Sequence, residues 1–195
     1  MNDVLNVTPL SLDQWDDSLS FIKEDMNGRP INVHSLMAHH PELLKAWWNF
    51  RNYSVQGGVL GKRNGELVIL RVATHMKAWY EWGSHVERGL ACGLTREEIE
   101  RVKLGGEAEG WNDAERLLLN AIDELIAKHG LSPETHALLR EHFSVPQVMD
   151  IIAIHGMYVI LGCMINTWGL ELDQYVKDKL PEDVTQGQFE AEYPR

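Results

Sequence analysis

The stretch Glu66-Leu-Val-Ile-Leu-Arg-Val-Ala-Thr-His-Met-Lys-Ala-Trp-Tyr-Glu-Trp-Gly-Ser-His85 is the most informative part of this 195-residue chain. Its apolar residues predict two helical segments that lie in the core of the protein. Six titratable side chains interrupt these segments: Glu66, Arg71, His75, Tyr80, Glu81 and His85. Burying such groups costs on the order of several kcal/mol unless they satisfy one another. A buried titratable cluster of this kind is a candidate site for proton transfer.

Helical spacing brings two of these side chains onto the same face. Ala78, Glu81 and His85 stand at positions i, i+3 and i+7, so one helix face carries all three residues. Because Glu81 comes one turn before His85, its carboxyl group could orient the imidazole. It could equally exchange a proton with a substrate. The spacing leaves both roles open.

Helix signals recur along the whole chain and predict an all-α fold. Polar capping residues precede several apolar runs, and glycines or prolines mark many of the boundaries. No segment of any length alternates between apolar and polar residues as a β-strand does. The predicted helices are Pro41 to Gly57-Gly58, Lys62 onward, Tyr80 to Gly93, Thr95 to Gly105-Gly106, Asn112 to Gly130, Ser132-Pro133 onward, and Ser144 to about Asn166.

The two ends of the chain are expected to flank one central domain. In the first of them a single amphipathic helix is predicted around residues 12–22, with Trp15 and Phe21 as apolar anchors. The last segment is acidic and is expected to lie on the surface or against a partner. The expected parts are an N-terminal extension at residues 1–30, a helical domain at residues 31–173 and an acidic C-terminal tail at residues 174–195.

Composition excludes several classes of partner. The formal net charge is −11, so nucleic acid and anionic membrane surfaces would be repelled. The apolar run at residues 148–162 is interrupted by Asp150 and His155 and is expected to be too short to cross a bilayer. No secretory signal is visible at the start of the sequence. The two cysteines, Cys92 and Cys163, have neither redox nor metal-type spacing. We therefore expect a cytoplasmic protein.

The stretch from Glu66 to His85 resembles the core motif of the carboxymuconolactone decarboxylase family, which includes the alkylhydroperoxidase-D-like proteins. The resemblance runs from about Asn32 through His85 into Gly93-Leu-Thr-Arg-Glu-Glu-Ile99 and, more weakly, to Asp173. It implies a single-domain helical bundle of the alkylhydroperoxidase-D-like type that assembles with copies of itself, as a homotrimer or as a hexamer of two trimers. Self-association would also cover the apolar surface of the central helices.

In the thiol-peroxidase branch of that family, a glutamate precedes a Cys-x-x-Cys pair, and a histidine follows the second cysteine by four residues. Here the glutamate matches Glu66, the histidine matches His85, and the cysteine positions hold Ala78 and Glu81. The match implies a hydrogen-bonded proton relay between Glu66 and His85. Without the resemblance, Glu66 would be interpreted as a first-turn carboxylate stabilised by the helix dipole. The missing cysteines point to the thiol-free lyase branch, in which Tyr-Glu-Trp at residues 80–82 is a familiar variant.

Four further residues are candidates for substrate binding. Tyr80 is expected in the wall of the site, where its hydroxyl could be donated to a substrate. Arg71 would hold a substrate carboxylate, or would form an internal salt bridge with Glu66 or a neighbouring chain. His155 is either a site residue or a buried, hydrogen-bonded histidine. His34 belongs to the segment that caps the site in the resembled family.

Together these residues predict a cofactor-free lyase that acts by general acid–base proton transfer. His85, oriented by Glu66, would move one proton, and Glu81, Tyr80 or His155 would supply a second proton site. The expected substrate is a small oxygenated or carboxylated ring compound of aromatic catabolism. An isomerase, a dehydratase or another carbon–carbon lyase would use the same groups. A hydroperoxide reductase and a non-catalytic oligomeric binding protein are further alternatives. No paired histidine spacing typical of a zinc site is present, so neither a metal nor a cofactor is expected.

Overall fold

The computed structural model describes residues 7–56 and 58–193. In these two ranges the chain forms α-helices and short 3-10 turns and contains no β-strand, which confirms the all-α prediction. Gly57, part of one predicted helix stop, lies outside the described residues. The helices are α1 Ser20–Asp25, α2 Asn32–Met37, α3 Pro41–Val55, α4 Lys62–Met76, α5 Trp79–Ala91, α6 Arg96–Val102, α7 Asp113–Lys128, α8 Pro133–His142, α9 Val145–Trp168, α10 Gln174–Lys177 and α11 Gln186–Glu192.

Helix α4 lies at the centre of the fold and packs against α5, α7 and α9. Residues 65–74 of α4 are all buried. Since neighbours surround this helix, its sequence is apolar around its circumference and not along a single stripe. The two charged residues in this buried segment, Glu66 and Arg71, must therefore find partners inside the protein.

Local sequence signals set most helix boundaries where they were predicted. The connection between α4 and α5 is only two residues long, because Lys77 ends α4 in the left-handed conformation with φ of 53°. This tight turn packs α5 directly against α4, and it places His85 beside Glu66. Reciprocal capping boxes begin three of the predicted helices: Thr95 with Glu98, Asn112 with Glu115, and Ser144 with Gln147.

The single N-terminal helix predicted from the sequence is wrong. Two 3-10 turns, Leu12–Gln14 and Asp17–Leu19, precede the short helix α1. Asp16 accepts a hydrogen bond from a backbone amide two residues further on. Such local side-chain bonds compete with helix formation and divide the segment into separate turns. Trp15 is buried in the core as expected, whereas Phe21 is 43% exposed.

The described part of the acidic C-terminal segment packs against the helical domain. Phe189 on α11 is 2% exposed, and its ring stacks on Trp82 of α5 with 5.6 Å between the ring centroids. Asp173, just before α10, accepts hydrogen bonds from the backbone amide of Asn32 and from the hydroxyl of Tyr80. The chain that follows the central domain is therefore tied to both α2 and α5.

Helix α9 has 24 residues and ends at Trp168, slightly beyond the predicted end near Asn166. By length and composition it could cross a bilayer, so the expectation that its apolar run is too short is corrected. In the fold, half of its most apolar stretch is buried inside the protein. Its buried face packs against α4, and Asp150 accepts hydrogen bonds from the hydroxyl of Tyr53 and from the amides of Val59 and Leu60.

Candidate active site

Glu66 and His85 form a buried hydrogen-bonded pair between α4 and α5. Nδ1 of His85 lies 2.6 Å from Oε2 of Glu66, and the two residues are 3% and 9% exposed, respectively. Glu66 stands in the second turn of α4, which begins at Lys62, so it is not a first-turn carboxylate at the helix N-terminus. Its partner is the imidazole, which the carboxylate holds in a fixed orientation.

The contacts of His85 assign its tautomer. A guanidinium nitrogen of Arg88 lies 3.4 Å from Nε2 of His85. Because an arginine can only donate, Nε2 accepts, and Nδ1 carries the proton that is donated to Glu66. Burial lowers the pKa of His85, although the charge and the hydrogen bond of Glu66 oppose this effect. At neutral pH His85 is therefore an uncharged base with its lone pair on Nε2.

Glu81 is a buried carboxyl group one turn before His85. It is 2% exposed, and within the described residues neither of its carboxyl oxygens has a hydrogen-bond partner. Burial raises the pKa of Glu81 well above its usual range, because nothing nearby compensates the loss of water around the charged form. The group is therefore a neutral carboxylic acid at neutral pH and can donate a proton.

Glu81 and His85 both line a narrow cavity that is enclosed mainly by α3, α5 and α9. The ring of Tyr158 on α9 meets the imidazole of His85 edge to face, with the ring centroids 5.0 Å apart. Most of the remaining wall is apolar. The polar side chains along the wall are His34, Arg51, Tyr80, Glu81, Ser84, His85, Arg88 and Tyr158.

Tyr80 lines the cavity, but its hydroxyl is engaged elsewhere. The hydroxyl donates to Oδ2 of Asp173 at 2.5 Å and accepts a hydrogen bond from the amide of Val33 at 3.4 Å. The prediction that Tyr80 donates to a substrate is therefore corrected, because the donor is already used to attach the C-terminal segment. Burial, with the adjacent Asp173 charge, raises the pKa of Tyr80 well above its usual range, so the hydroxyl also stays protonated.

The structure does not bring Arg71 to the cavity. Its guanidinium forms a bidentate ion pair with Asp123, with nitrogen–oxygen distances of 2.6 and 2.9 Å. Two further hydrogen bonds go to the backbone carbonyls of Val102 and Lys103. The internal salt bridge expected for Arg71 therefore exists, but its partner is Asp123 on α7 and not Glu66. All these contacts join α4 to α6 and α7, so Arg71 is structural.

The two remaining histidine candidates have different positions. His155 is half-buried on α9 and does not line the cavity, and its buried Nε2 has no hydrogen-bond partner among the described residues. His34 does line the cavity, is 2% exposed and packs edge to face on Trp48. Burial, reinforced by the charges of Arg51 and Arg88, lowers the pKa of His34 to about 3. His34 is therefore neutral at physiological pH.

Sequence reasoning missed two arginines that line the cavity, Arg51 on α3 and Arg88 on α5. Arg88 follows Glu81 by seven residues and His85 by three, so the face that carries these two residues also predicts it. Arg51 had no comparable signal, because α3 reaches the cavity only through tertiary packing. In the described part of the chain, no three His, Cys, Asp or Glu side chains converge in a group that could hold a metal ion.

Solved structures define the class of fold. An alkylhydroperoxidase AhpD core protein from Ralstonia eutropha JMP134, described as an uncharacterised peroxidase-related protein, superposes with a TM-score of 0.75 at 20% identity, covering 88% of this chain and 94% of that one. A variant of the debrominase Bmp8 in complex with 2,3,4-tribromopyrrole superposes with a TM-score of 0.71 at 16% identity, covering 91% of this chain and 96% of that one. The fold is therefore the all-α fold of the AhpD-like proteins.

A third similar structure is a protein of unknown function from Agrobacterium tumefaciens, described as a putative antioxidant defence protein AhpD. It superposes with a TM-score of 0.64 at 24% identity, covering 70% of this chain and 94% of that one. Residues 41–124 match the model of the carboxymuconolactone decarboxylase family. This match, which spans less than half of the chain, and the shared fold agree with the resemblance found in the sequence. No curated protein matches the chain significantly.

Proposed function

We propose that this protein is a cofactor-free cytoplasmic lyase of the decarboxylase type, acting on a small oxygenated or carboxylated ring compound of aromatic catabolism. The observation that carries the proposal is the 2.6 Å contact of Glu66 with His85, whose side chain lines the cavity together with Glu81. Burial keeps Glu81 protonated and His85 uncharged at neutral pH. An acid and a base thus line the same enclosed space, as general acid–base catalysis requires.

The two groups have complementary roles in a decarboxylation. Loss of carbon dioxide breaks a carbon–carbon bond and leaves its electron pair on the adjacent carbon as an enolate. Glu81 would donate its proton to that carbon and then regain a proton from water. Where a substrate proton must first be removed, Nε2 of His85 would accept it, and Glu66 would stabilise the imidazolium that forms.

The walls of the cavity support a small ring compound as substrate. They are mostly apolar and carry a few convergent polar groups, as is typical of sites that bind small organic ligands. The debrominase Bmp8, a protein with this fold, has been crystallised in complex with a brominated pyrrole. That complex concerns the debrominase, but it supports the view that this fold can enclose a ring of this size.

The main alternative is an isomerase, a dehydratase or another carbon–carbon lyase, because the same acid and base would serve each of these reactions. Hydroperoxide reduction is disfavoured because neither Cys92 nor Cys163 lines the cavity. A non-catalytic binding protein would use the cavity without changing its ligand. These alternatives differ in their products, so product analysis separates them.

The proposal can be tested with a panel of small cyclic β-keto acids and β,γ-unsaturated acids in deuterated water, followed by NMR. We expect accelerated carbon dioxide loss from at least one compound, with deuterium at the carbon that lost the carboxylate. The acceleration should disappear in Glu81→Gln, which removes the proton donor, and in His85→Gln for any compound from which a proton must first be removed. It should persist in His75→Gln, a control outside the cavity whose side chain pairs with Asp123. Binding of panel compounds without any chemical change would instead support a binding protein.

A further inference from the structure

Arg51 and Arg88 bring two positive charges to the cavity, and neither forms an ion pair with a carboxylate in the described part of the chain. Both guanidinium groups line the cavity, and neither residue is fully exposed. Within residues 7–56 and 58–193, no carboxylate lies within ion-pair distance of either group. The arginines that stabilise the fold differ in this respect, since Arg63 pairs with Glu98 and Glu115 and Arg71 pairs with Asp123.

The contacts that Arg51 and Arg88 do make are neutral. Arg51 donates one hydrogen bond to Asn52 at 2.8 Å, and its guanidinium lies 5.1 Å from the ring centre of Trp48. Its Nε is buried and has no acceptor among the described residues. Arg88 contacts Nε2 of His85 at 3.4 Å and donates to the hydroxyl of Tyr175. None of these contacts is an ion pair, although the more distant charge of Glu66 favours the charged form of Arg88.

Placing two cations close together in a poorly solvated cavity is unfavourable, and the cost falls on Arg51. Burial, together with the charge of Arg88, lowers the pKa of Arg51, which is the electrostatic consequence of their proximity. Burial would also lower the pKa of Arg88, but nearby Tyr158, Glu66 and Tyr175 outweigh that effect, so Arg88 stays charged. An anionic ligand would remove this destabilisation on binding.

The charges of the cavity indicate which kind of anion fits. Glu66 contributes one negative charge as the acceptor of the His85 hydrogen bond, whereas Glu81, His34 and His85 are neutral at physiological pH. Two arginines and one carboxylate leave a single excess positive charge. A monoanion such as a carboxylate neutralises it, whereas a phosphate dianion would leave an excess negative charge in a buried site.

We propose that Arg51 and Arg88 form a carboxylate-binding subsite that anchors a carboxylate retained in the product. Guanidinium groups bind carboxylates through paired hydrogen bonds, which orient the ligand as well as attract it. An anchor of this kind stabilises a carboxylate charge in the ground state, so it would oppose the departure of that same group as carbon dioxide. The anchored carboxylate is therefore a second substituent of the ring, distinct from the bond that breaks.

Retention of the carboxylate rests on the proposed lyase function, whereas the subsite itself does not. The first test is equilibrium binding of benzoate, benzamide and inorganic phosphate, measured by titration calorimetry. We expect benzoate to bind at least about tenfold more tightly than benzamide, the scale of a charge-assisted hydrogen bond. Tighter binding of phosphate than of benzoate would overturn the assignment to a carboxylate.

Substitutions of the two arginines then show whether their side chains bind the carboxylate. Arg51→Gln and Arg88→Gln should each weaken benzoate binding by about tenfold or more and leave benzamide binding unchanged. Arg51→Lys should recover part of the loss. The control Arg116→Gln removes an exposed arginine of α7 that pairs with Asp113, and it should bind benzoate normally. Equal benzoate affinity in all these proteins would overturn the proposal.

Thermal unfolding and turnover measurements distinguish a failure of the proposed subsite from a failure of the proposed reaction. Arg51→Gln should unfold at an equal or higher temperature than the wild type without ligand, because a destabilising charge is removed. Benzoate should stabilise this variant less than it stabilises the wild type. A lower unfolding temperature without ligand would mark Arg51 as structural. His85→Gln should bind benzoate normally, so loss of turnover with intact binding would concern the proposed reaction and not this subsite.

Discussion

Glu81 and His85 lie one helical turn apart on α5, and burial raises the pKa of Glu81 and lowers the pKa of His85. For Glu81 the shift is upward, because a buried carboxylate loses its hydration and gains no partner. For His85 the shift is downward, because the same loss of hydration disfavours the imidazolium. Both groups are consequently uncharged at neutral pH, one as an acid and the other as a base. This pairing is the basis of the proposed chemistry.

The first prediction concerns Glu81 and alkaline pH. Its folded-state pKa is raised, so the folded protein retains a proton that the unfolded chain releases above about pH 4.3. Stability contributed by this group is therefore lost as the pH rises from that value towards the folded pKa. Glu81→Gln should remove the loss, so the stability of the variant relative to the wild type should increase with pH. Urea unfolding of both proteins between pH 5 and pH 9 measures this difference in the free energy of unfolding. A difference that does not change with pH would contradict the assignment of Glu81 as a buried neutral acid.

The second prediction concerns His34 and acid. Its pKa is lowered to about 3 in the folded protein, whereas an unfolded histidine titrates near 6.5. The unfolded state therefore binds one more proton between these values, and stability falls as the pH drops through that window. The slope from one such group is at most about 1.4 kcal/mol per pH unit. His34→Phe, which preserves the ring contact with Trp48, should flatten the acid side of the stability profile. An unchanged slope would refute the prediction.

The third prediction is that the protein lacks thiol-dependent peroxidase activity. Ala78 and Glu81 occupy the positions of the family's cysteine pair, and neither Cys92 nor Cys163 lines the cavity. Burial also raises the pKa of Cys92, which disfavours its reactive thiolate form. A coupled assay with an organic hydroperoxide and a dithiol should show no turnover above background. Turnover that is lost in Cys92→Ser would overturn this prediction.

The fourth prediction is that the protein self-associates, most simply as a trimer or a hexamer. Val145, Met149, Ile152 and Ile160 form an exposed apolar stripe along α9, at helical spacings of four, three and eight residues. A second copy of the chain would cover this stripe without new polar contacts. Light scattering should give a mass that is a multiple of 22.3 kDa. A monomer at micromolar protein concentration would contradict it, and Met149→Glu should weaken an assembly that uses this face.

The fold could be predicted to a large extent because its boundaries depend on local chemistry. The capping boxes at Thr95, Asn112 and Ser144 begin helices in the structure at the predicted positions. The N-terminal segment was mispredicted for an equally local reason, because the capping interaction of Asp16 favours a turn over a continuous helix. Side-chain competition for backbone amides is not visible in a hydrophobic pattern.

The site could be predicted in part. Glu81, His85 and Arg88 share a helix face, so their spacing alone places them together. The partner of Glu66 came from the family motif, since nothing in helical periodicity links α4 to α5 at that point. Arg71 was assigned to the wrong place because its partner cannot be found from local sequence. That partner, Asp123, is 52 residues away in sequence, and only the packing of α4 against α7 brings the two together. Tyr80 was misjudged similarly, because Asp173 reaches it from the far end of the domain.

The proposed chemistry depends most directly on Glu66 and His85 acting as one proton-transfer unit. A double-mutant cycle measures this once a turnover substrate is found with the panel described above. His85→Ala and Glu66→Gln should each reduce kcat/KM by about 10²-fold or more, since each disables the same base. The double variant should lose little beyond the more damaging single variant, because residues that act as a unit are non-additive. Unfolding curves of all four proteins must show that the variants are folded at the assay temperature. Full activity in His85→Ala, or losses that multiply to about 10⁴-fold in the double variant, would contradict the central claim.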